Sequence, residues 1–309
     1  MQVRLALLTQ KWRSTRGVWF DYLSLTKPRV LSLLLLTTLA SMLIAEDYLP
    51  RPATIIFTLL GGYLAAGGAS ALNCYLDRYL DAEMIRTRQR PLPAGRLRPE
   101  QGLYFGLILS GASFFVLWLG TTLLAAYLAL GGIFYYVFIY TYWLKRRSVH
   151  SIVIGGAAGA IPALVGWAAV TGSLSPMAFF LFAIIFYWTP PHFWSLSLLI
   201  RDDYARAKVP MFPVIYGDQA TRSQILLYTI PLIILTILPV AFDFLGPFYL
   251  VSAFLLGIIF IYEAWQVWRT IQLQPVRRLF RYSLIYLALL FVAMVIDQVG
   301  PPELPHFFL

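Results

Sequence analysis

Long apolar stretches follow one another along almost the whole chain, separated by short polar connections. A helix needs roughly 20 mostly apolar residues to cross a hydrocarbon core of about 30 Å. Nine stretches approach this length, and they lie at about 28–45, 53–76, 102–121, 122–143, 152–171, 177–200, 225–242, 247–268 and 279–297. The third and fourth meet at the sequence LGTT, which indicates a tight turn. The pattern predicts an all-α, polytopic membrane protein of about nine transmembrane helices.

Composition and charge agree with this prediction. The 309 residues are 60% hydrophobic and 12% charged, with a mean hydropathy of +0.72, which is too apolar for a single soluble core. A net charge of +10 would suit a nucleic-acid partner, but the basic residues lie in the amino-terminal segment and in the loops after even-numbered spans. Only Arg51 lies on the opposite side. The positive-inside rule then predicts a cytoplasmic amino terminus, and no nucleic-acid partner is expected.

Three segments are predicted: a cytoplasmic amino-terminal arm at 1–26, a nine-helix intramembrane domain at 27–298 and a short outer tail at 299–309. The arm is basic and partly amphipathic, and it lacks the apolar core and cleavage site of a secretory signal; an organelle presequence is the alternative. Spans 2 and 6 both end in acidic residues followed by long loops. This repetition predicts two four-helix halves, spans 1–4 and 5–8, around a central cavity.

The end of the second span carries an acidic stripe, Asn73, Asp77 and Asp81. Positions i, i+4 and i+8 of a helix lie on one face, about 6 Å apart along the axis at each step. Such a stripe at membrane depth is costly unless it lines a wet cavity and meets a cation. Mg²⁺ suits oxygen ligands of this kind, and it usually adds phosphate oxygens to one or two carboxylates. The stripe therefore predicts a site for Mg²⁺ and a phosphate-bearing ligand.

Basic residues that could meet the phosphate follow the stripe directly. Arg86, Arg88 and Arg90 lie in an extended segment, and the LKRR sequence with Lys145 and Arg146 comes from the loop between spans 4 and 5. Topology alone explains most basic residues in this chain, but a purely topogenic loop has no need of the acids interspersed here. These cations are therefore candidates for contacts with a diphosphate.

A second acidic cluster begins the loop between spans 6 and 7. Asp202 and Asp203 lie there beside Arg201, and a solvated loop start is the alternative interpretation. His192 lies ten residues earlier, after the pair Pro190–Pro191 that is expected to bend the helix. A histidine within a span is a candidate functional residue, although a hydrogen-bonded structural role is the alternative.

These residues resemble the UbiA superfamily of intramembrane prenyltransferases, whose first signature is N-x-x-x-D-x-x-x-D and whose second is an aspartate-rich stretch after the sixth span. The sequences NCYLDRYLDAEMIRTRQRPLPAGR and WTPPHFWSLSLLIRDDYARAKVPMFPV carry the resemblance, together with segments that begin at Tyr22 and Tyr140. The second of the quoted sequences resembles the branch that prenylates haem. Ser151 and Ala163 depart from the pattern of that branch.

The resemblance implies transfer of a farnesyl group from farnesyl diphosphate to a vinyl group of haem b, with Mg²⁺ as cofactor. It implies Mg²⁺-diphosphate ligation and catalysis by Asn73, Asp77, Asp81, Asp202 and Asp203. It further implies phosphate contacts by Arg90, Lys145, Arg146 and Arg201. For His192 a contact with haem is expected, as an axial ligand or near the propionates.

Two other functions remain open at this point. A UbiA-type enzyme could prenylate an aromatic or quinone-precursor acceptor, and a carrier could bind haem or a polyprenyl phosphate without chemistry. The expected location is a bacterial inner membrane, or else the mitochondrial inner membrane. The lipid bilayer is the surrounding partner, and haem A synthase or a terminal-oxidase assembly is a candidate downstream partner.

Overall fold

A computed structural model of the chain describes residues 17–46 and 48–300, and all regular structure within them is helical. Residues 1–16 of the predicted arm and residues 301–309 of the predicted tail lie outside the described residues. The elements are α1 Val18–Thr26, α2 Pro28–Ile44, α3 Pro52–Leu76, α4 Arg78–Glu83, α5 Pro99–Gly120, α6 Leu123–Phe134, a π-helix Tyr135–Leu144, α7 Ser151–Thr171, α8 Pro176–Leu199, α9 Arg201–Arg206, α10 Phe212–Ile215, α11 Gly217–Ala241, α12 Pro247–Arg269 and α13 Leu273–Val299.

The nine predicted spans correspond to helices of the structure. Eight helices of the described chain are long and apolar enough to cross a membrane, and α1 with α2 forms a ninth candidate that is bent by 46°. The tight turn predicted at LGTT lies between the end of α5 at Gly120 and the start of α6 at Leu123. Thr122 caps α6 by accepting a hydrogen bond from the Ala125 amide at 3.1 Å. The chain is an integral, multi-pass membrane protein of the predicted all-α class.

Prolines mark the starts of five long helices. The first helical turn of α2, α3, α5, α8 and α12 begins with proline, where the missing amide hydrogen has no intrahelical partner to lose. The pair Pro190–Pro191 instead lies inside α8, which runs without interruption from Pro176 to Leu199.

The helices can be compared with the two predicted groups. The first group would contain α2, α3, α5 and α6 with its π-helical extension, and the second α7, α8, α11 and α12. The groups meet where α7 packs against α2 and α6, and α13 packs against α8, α12 and α2. The backbones of α3 and α5 come close together at Gly68, where an added Cβ would lie 2.9 Å from the Gly106 carbonyl oxygen. The predicted division into two four-helix halves and a ninth span stays a prediction, because Ala40 and Ile44 of α2 pack in the same hydrophobic cluster as α7 and α8 of the other half.

Polar side chains fix the helix ends at opposite sides of the bundle. Asp297 accepts hydrogen bonds from the Gly246 and Tyr249 amides at the start of α12. Arg222 is buried and donates to the carbonyls of Val267 and Thr270 at the other end of α12. That second end also holds the loops after α3, the π-helix and α8, and it is called the basic end below.

Candidate active site at the basic end of the bundle

The acidic stripe lies at the junction of α3 and α4. Asn73 is in the last turn of α3, Asp77 is the residue between the helices, and Asp81 is in α4. The Asp77 amide donates to the Asn73 carbonyl at 2.8 Å, and the Asp81 amide donates to the Asp77 carbonyl at 2.7 Å. The i, i+4 register therefore continues across the junction. All three residues are buried, with at most 4% of their surface exposed.

A π-helix brings a second strip of polar groups to the stripe. Within Tyr135–Leu144 the hydrogen bonds span five residues, as in the bond from the Lys145 amide to the Tyr140 carbonyl at 2.8 Å. Thr141 Oγ1 accepts a hydrogen bond from Asn73 Nδ2 at 3.1 Å, and Lys145 Nζ donates to Asp77 Oδ2 at 2.5 Å. Such wide turns are rare in proteins, and those that occur are often found at functional sites. Here the wide turn aims Thr141 and Lys145 at α3.

Gly155 of α7 makes room for the π-helix. An added Cβ at this glycine would lie 2.2 Å from the Tyr140 ring, which packs against Tyr136 with ring centroids 5.6 Å apart. Both tyrosines are half-buried beside the stripe. The small residue on α7 thus determines where the tyrosine rings lie.

Two arginines complete the positive surroundings of the stripe. Arg90 Nη1 donates to Asp81 Oδ2 at 2.7 Å, in a loop that Thr87 ties back by donating to the Asp81 carbonyl. Arg146 Nη2 donates to the Leu76 carbonyl at 2.7 Å and lies 3.5 Å from Asp77 Oδ1. Of the four basic residues implied as phosphate contacts, Arg90, Lys145 and Arg146 therefore lie at the stripe.

Lys27 also lies at the stripe, and sequence reasoning treated it only as a topogenic charge. It lies at the bend between α1 and α2, with φ 54° and ψ 57°, and its Nζ donates to Asn73 Oδ1 at 2.8 Å. The sequence offered one signal for this position of Lys27. The lysine directly precedes Pro28, which starts a span, so it lies at a break between the arm and the helix.

The donors at the stripe fit a divalent cation. Asp77 Oδ1 is buried and has no hydrogen-bond partner, and a buried carboxylate oxygen of this kind is expensive unless a cation meets it. Within the described residues no group of three or more His, Cys, Asp or Glu could hold a metal. The oxygen atoms of Asn73, Asp77 and Asp81 suit Mg²⁺, which uses few carboxylates and completes its shell with water and substrate phosphates.

The second acidic pair is divided between two environments. Asp203 is buried and accepts hydrogen bonds from the Ile85 amide at 3.1 Å and the Arg86 amide at 3.3 Å, and it also pairs with Arg206. Burial opposes its ionisation, but these hydrogen bonds outweigh burial and lower the pKa of Asp203. Asp203 therefore ties the loop after α8 to the loop after α4.

Asp202 has no comparable partners. Its side chain is 81% exposed and lies 3.5 Å from Arg201, which donates to Asp218 at 2.9 Å. Arg201 is thus engaged with carboxylates of its own loop region, and no contact of the described residues joins it to the acidic stripe. Of the residues implied as ligands or phosphate contacts, Arg201, Asp202 and Asp203 have no hydrogen bond or ion pair with the residues of the stripe.

His192 lies in the interface between α8 and α13. Its Nδ1 is 2.7 Å from Ser283 Oγ, and its ring stacks between Trp188 and Phe280 at centroid distances of 4.4 and 4.8 Å. Trp188 Nε1 donates to the Ser283 carbonyl at 2.8 Å, which fixes the same corner. The hydrogen bond to Ser283 agrees with a structural role for this histidine. No contact of the described residues connects His192 to the stripe.

Sequence comparison identifies relatives over most of the chain. The UbiA prenyltransferase family model matches residues 34–295. A protoheme IX farnesyltransferase from Chloroflexus aurantiacus is 55% identical over 92% of this chain and 48% of its own length. A protein of the same name from Picosynechococcus sp. is 50% identical over 90% of this chain and 89% of its own length. The chain spans about half the length of the Chloroflexus relative and of a similar Roseiflexus protein.

Solved structures share the fold at low sequence identity. A structure described as a digeranylgeranylglyceryl phosphate synthase has a TM-score of 0.76 and 16% identity, covering 93% of this chain and all of its own. A UbiA homolog from Archaeoglobus fulgidus bound to DMAPP and Mg²⁺ has a TM-score of 0.64 and 13% identity, covering 89% of this chain and 99% of its own. These likenesses show a common architecture.

Proposed function

The chain belongs to the UbiA prenyltransferase family, and on that premise we propose that it is a Mg²⁺-dependent enzyme that transfers a farnesyl group from farnesyl diphosphate to a vinyl group of haem b. Addition of water completes the hydroxyethylfarnesyl substituent of haem O, and diphosphate leaves. Relatives named protoheme IX farnesyltransferase support this acceptor. The observation that carries the proposal is the buried carboxylate oxygen Asp77 Oδ1 without a hydrogen-bond partner, surrounded by basic side chains.

The charges of the site suit an anionic diphosphate. Four basic side chains contact the stripe, which carries two carboxylates, and this leaves an excess of two positive charges. Arg90, Lys145 and Arg146 contact the carboxylates, and Lys27 contacts the Asn73 amide. When bound, Mg²⁺ would neutralise charge that builds on the diphosphate as the allylic C–O bond breaks. Asn73, Asp77 and Asp81 are the proposed ligands. Lys145, Arg146 and Arg90 would turn part of their hydrogen-bonding capacity from the carboxylates to the diphosphate oxygens.

Two polar loops and two tyrosine rings beside the stripe would keep water away from the reacting carbon. Asp203 joins the loop after α8 to the Ile85 and Arg86 amides, so two polar loops are held together near the stripe. The rings of Tyr136 and Tyr140 provide apolar faces beside Asp77 that suit the first isoprene units. Exclusion of water until the acceptor has reacted favours transfer over hydrolysis.

The second acidic pair has a proposed part in binding the diphosphate. Asp202 is the member whose carboxylate is not engaged by backbone amides, so it is the better candidate ligand for a cation on the loop side of the diphosphate. Asp203 would join as a ligand only by giving up its amide partners, and its proposed role is chiefly to position the loop. Arg201 would contact the leaving group from the same loop.

His192 is the proposed haem contact. Its ring is held by Trp188, Phe280 and Ser283, which orient the histidine while Nε2 stays available to a ligand. His192→Phe would keep a ring between the two aromatic neighbours and remove both nitrogens. We expect this variant to bind haem b at least tenfold more weakly while Mg²⁺ and pyrophosphate bind as in the unaltered protein.

The proposed setting is the bacterial inner membrane, with the amino terminus and the basic end in the cytoplasm. The positive-inside rule supports this orientation, because the basic loops gather at one end of the bundle. Both substrates are amphiphilic and can enter from the adjacent leaflet. A haem A synthase or a terminal-oxidase assembly is the kind of partner that would take the product.

An acceptor assay tests the proposal. Purified protein in lipid, with farnesyl diphosphate, haem b and Mg²⁺, should form haem O and release one diphosphate for each haem consumed. Product formed only with an aromatic or quinone-precursor acceptor would replace the haem assignment. Binding of haem and a polyprenyl phosphate without any diphosphate release would show a carrier and overturn the enzymatic proposal.

A further inference from the structure

The bend at Lys27 is an unusual place for a long side chain. Lys27 has left-handed backbone angles at the end of α1, a position that glycine usually occupies because it has no Cβ. The following residue is Pro28, and a residue before proline is further restricted in its backbone conformations. Strained positions of this kind are concentrated at functional sites, which makes the side chain of Lys27 worth explaining.

The ammonium group of Lys27 is held by a neutral partner. Its Nζ donates to Asn73 Oδ1 at 2.8 Å, and no carboxylate of the described residues lies within 4.0 Å of it. Asp77 and Asp81 attract it over a longer distance, whereas Arg90 repels it. An ammonium bound to an amide oxygen is easier to displace than one in direct contact with a carboxylate.

Asn73 offers a cation only the oxygen that Lys27 uses. Its Nδ2 donates to Asp77 Oδ2 at 2.8 Å and to Thr141 at 3.1 Å, and these two donations fix which end of the amide faces Lys27. An amide nitrogen cannot bind Mg²⁺, so ligation by Asn73 must use Oδ1. With the ammonium and Mg²⁺ on the same oxygen, the two cations would be roughly 4 Å apart and would repel each other.

We propose that Lys27 is an exchangeable counter-cation, whose ammonium and a divalent cation compete for Asn73 Oδ1. Binding of the metal with diphosphate displaces the ammonium from Asn73, and the ammonium then binds a diphosphate oxygen. Lys27 therefore weakens binding of the cation alone and strengthens binding of the cation with diphosphate, which makes the two bind together. The inference rests on the proposed function only in treating the stripe as a cation and diphosphate site.

The exchange involves the side chain and not the helix. The segment around the bend is tied on two sides, by Asp21 with Arg96 at 2.9 Å and by Thr26 Oγ1 with the Tyr63 hydroxyl at 3.1 Å. These contacts hold α1 against the loop after α4 and against α3. The flexible four-carbon stem of Lys27 can move its ammonium by several ångströms while the backbone stays in place.

Cation binding to the full chain, purified in detergent, tests the proposal. Mn²⁺ binding is followed by electron paramagnetic resonance, with and without inorganic pyrophosphate. Lys27→Met should bind Mn²⁺ alone about tenfold more tightly, and pyrophosphate in the presence of Mn²⁺ about tenfold more weakly. Lys27→Arg keeps the charge and should lie close to the unaltered protein. Arg29→Met removes an exposed charge two residues away and should change neither affinity by more than about twofold.

Lys27→Gly keeps the proposal testable if the methionine variant folds poorly, since glycine adopts the left-handed backbone and also lacks the ammonium. Mn²⁺ affinity that stays the same or falls in Lys27→Met and Lys27→Gly, without pyrophosphate, would show that there is no competition. Equal tightening by Arg29→Met would show a general effect of charge and would also overturn the proposal. Absence of haem O formation with the exchange intact would reject the proposed acceptor and leave the counter-cation role standing.

Discussion

The two acidic clusters at the basic end look alike in the sequence and differ in the structure. Each follows an apolar span and precedes a long basic loop. The stripe is buried, and side chains from three other segments contact it: the bend at Lys27, the loop with Arg90 and the π-helix end with Lys145. The pair Asp202 and Asp203 is split between solvent and backbone amides. Acidic residues alone therefore do not define the chemistry, which depends on the partners that the fold brings to them.

Backbone register explains part of this difference. The stripe keeps the i, i+4 hydrogen bonding of α3 into α4, so its side chains stay on one face. The second pair instead follows Ile200, where the backbone leaves the helical conformation, and lies in the first turn of the short helix α9. Adjacent residues in a helix point in directions about 100° apart, which sends Asp202 and Asp203 to different surroundings.

The largest effect is expected from Asp77→Asn. This substitution removes a buried negative charge beside Lys145 and Arg146 and replaces the proposed metal-binding oxygen by a weaker or non-ligating group. We expect farnesyl transfer to fall by about a thousandfold. The measurement is the initial rate of haem O and diphosphate formation at saturating substrates.

The control for this variant is Asp243→Asn, at an exposed acid on the opposite side of the bundle. Asn tolerates the left-handed backbone of that position, so the fold should be unaffected. Asp243→Asn should retain full activity. Turnover of Asp77→Asn within about threefold of the unaltered protein would remove the stripe from the chemistry and with it the contrast between the clusters.

Gly155→Ala tests whether the stripe depends on the π-helix. The new Cβ would overlap the Tyr140 ring and push the turn that carries Lys145 and Thr141. Misplacement of catalytic groups by about 1 Å can reduce activity by about a hundredfold, and overpacking costs about 1–3 kcal/mol of stability. Turnover and thermal unfolding in detergent measure the two effects separately.

Gly159→Ala on the same helix is the matched control. No atom outside its immediate helix neighbours lies within 4 Å of a Cβ at that position, so we expect unchanged activity and an unfolding temperature that is equal or slightly higher. Equal behaviour of the two alanine variants would mean that the π-helix is not held in place by the small residue at Gly155.

The spans, the turn between two of them and the helix face of the stripe could be predicted from the sequence, because local chemistry determines them. The nine spans could be predicted because the thickness of a bilayer sets the length of a span and its hydrocarbon core requires apolar side chains. The turn at LGTT followed from the junction of two such spans. The spacing of Asn73, Asp77 and Asp81 similarly indicated a common helix face. Pro190–Pro191 was expected to bend α8; the helix continues through both prolines, and the bend stays a prediction. Packing against α7, α11 and α13 surrounds this segment and supports its helical path.

Contacts between distant segments were beyond sequence reasoning. Lys27 meets Asn73 across 46 positions, and Asp203 meets the Ile85 amide across 118. No periodicity within one helix encodes such pairs. The π-helix was missed for a related reason, because its five-residue hydrogen bonds depend on how Tyr140 packs against Gly155 in a different helix.

Asp203→Asn should loosen the loop after α4. The neutral amide accepts weaker hydrogen bonds from Ile85 and Arg86 and loses the ion pair with Arg206. Hydrogen bonds to a charged group are worth about 1.5–3 kcal/mol, so local opening should become at least tenfold more frequent. Trypsin cleavage after the exposed Arg86 or Arg88 should accelerate by about that factor. Asp218→Asn, at a half-buried acid of the neighbouring helix that pairs with Arg201, is the control and should leave the rate of cleavage after Arg86 and Arg88 unchanged.

The smallest effect is expected from Asp202→Asn. Its carboxylate is exposed and paired only with Arg201 at 3.5 Å, so the fold and the trypsin cleavage rate should stay the same. If Asp202 is a ligand of the metal, Asp202→Asn should need a several-fold higher Mg²⁺ concentration for half-maximal activity. Its activity at saturating Mg²⁺ should be nearly unchanged. A loss as large as that of Asp77→Asn would make the two clusters equivalent, because an exposed acid would then match a buried one. An unchanged Mg²⁺ requirement would confine cation binding to the stripe and leave Asp203, with its hold on the loop after α4, as the functional member of the second pair.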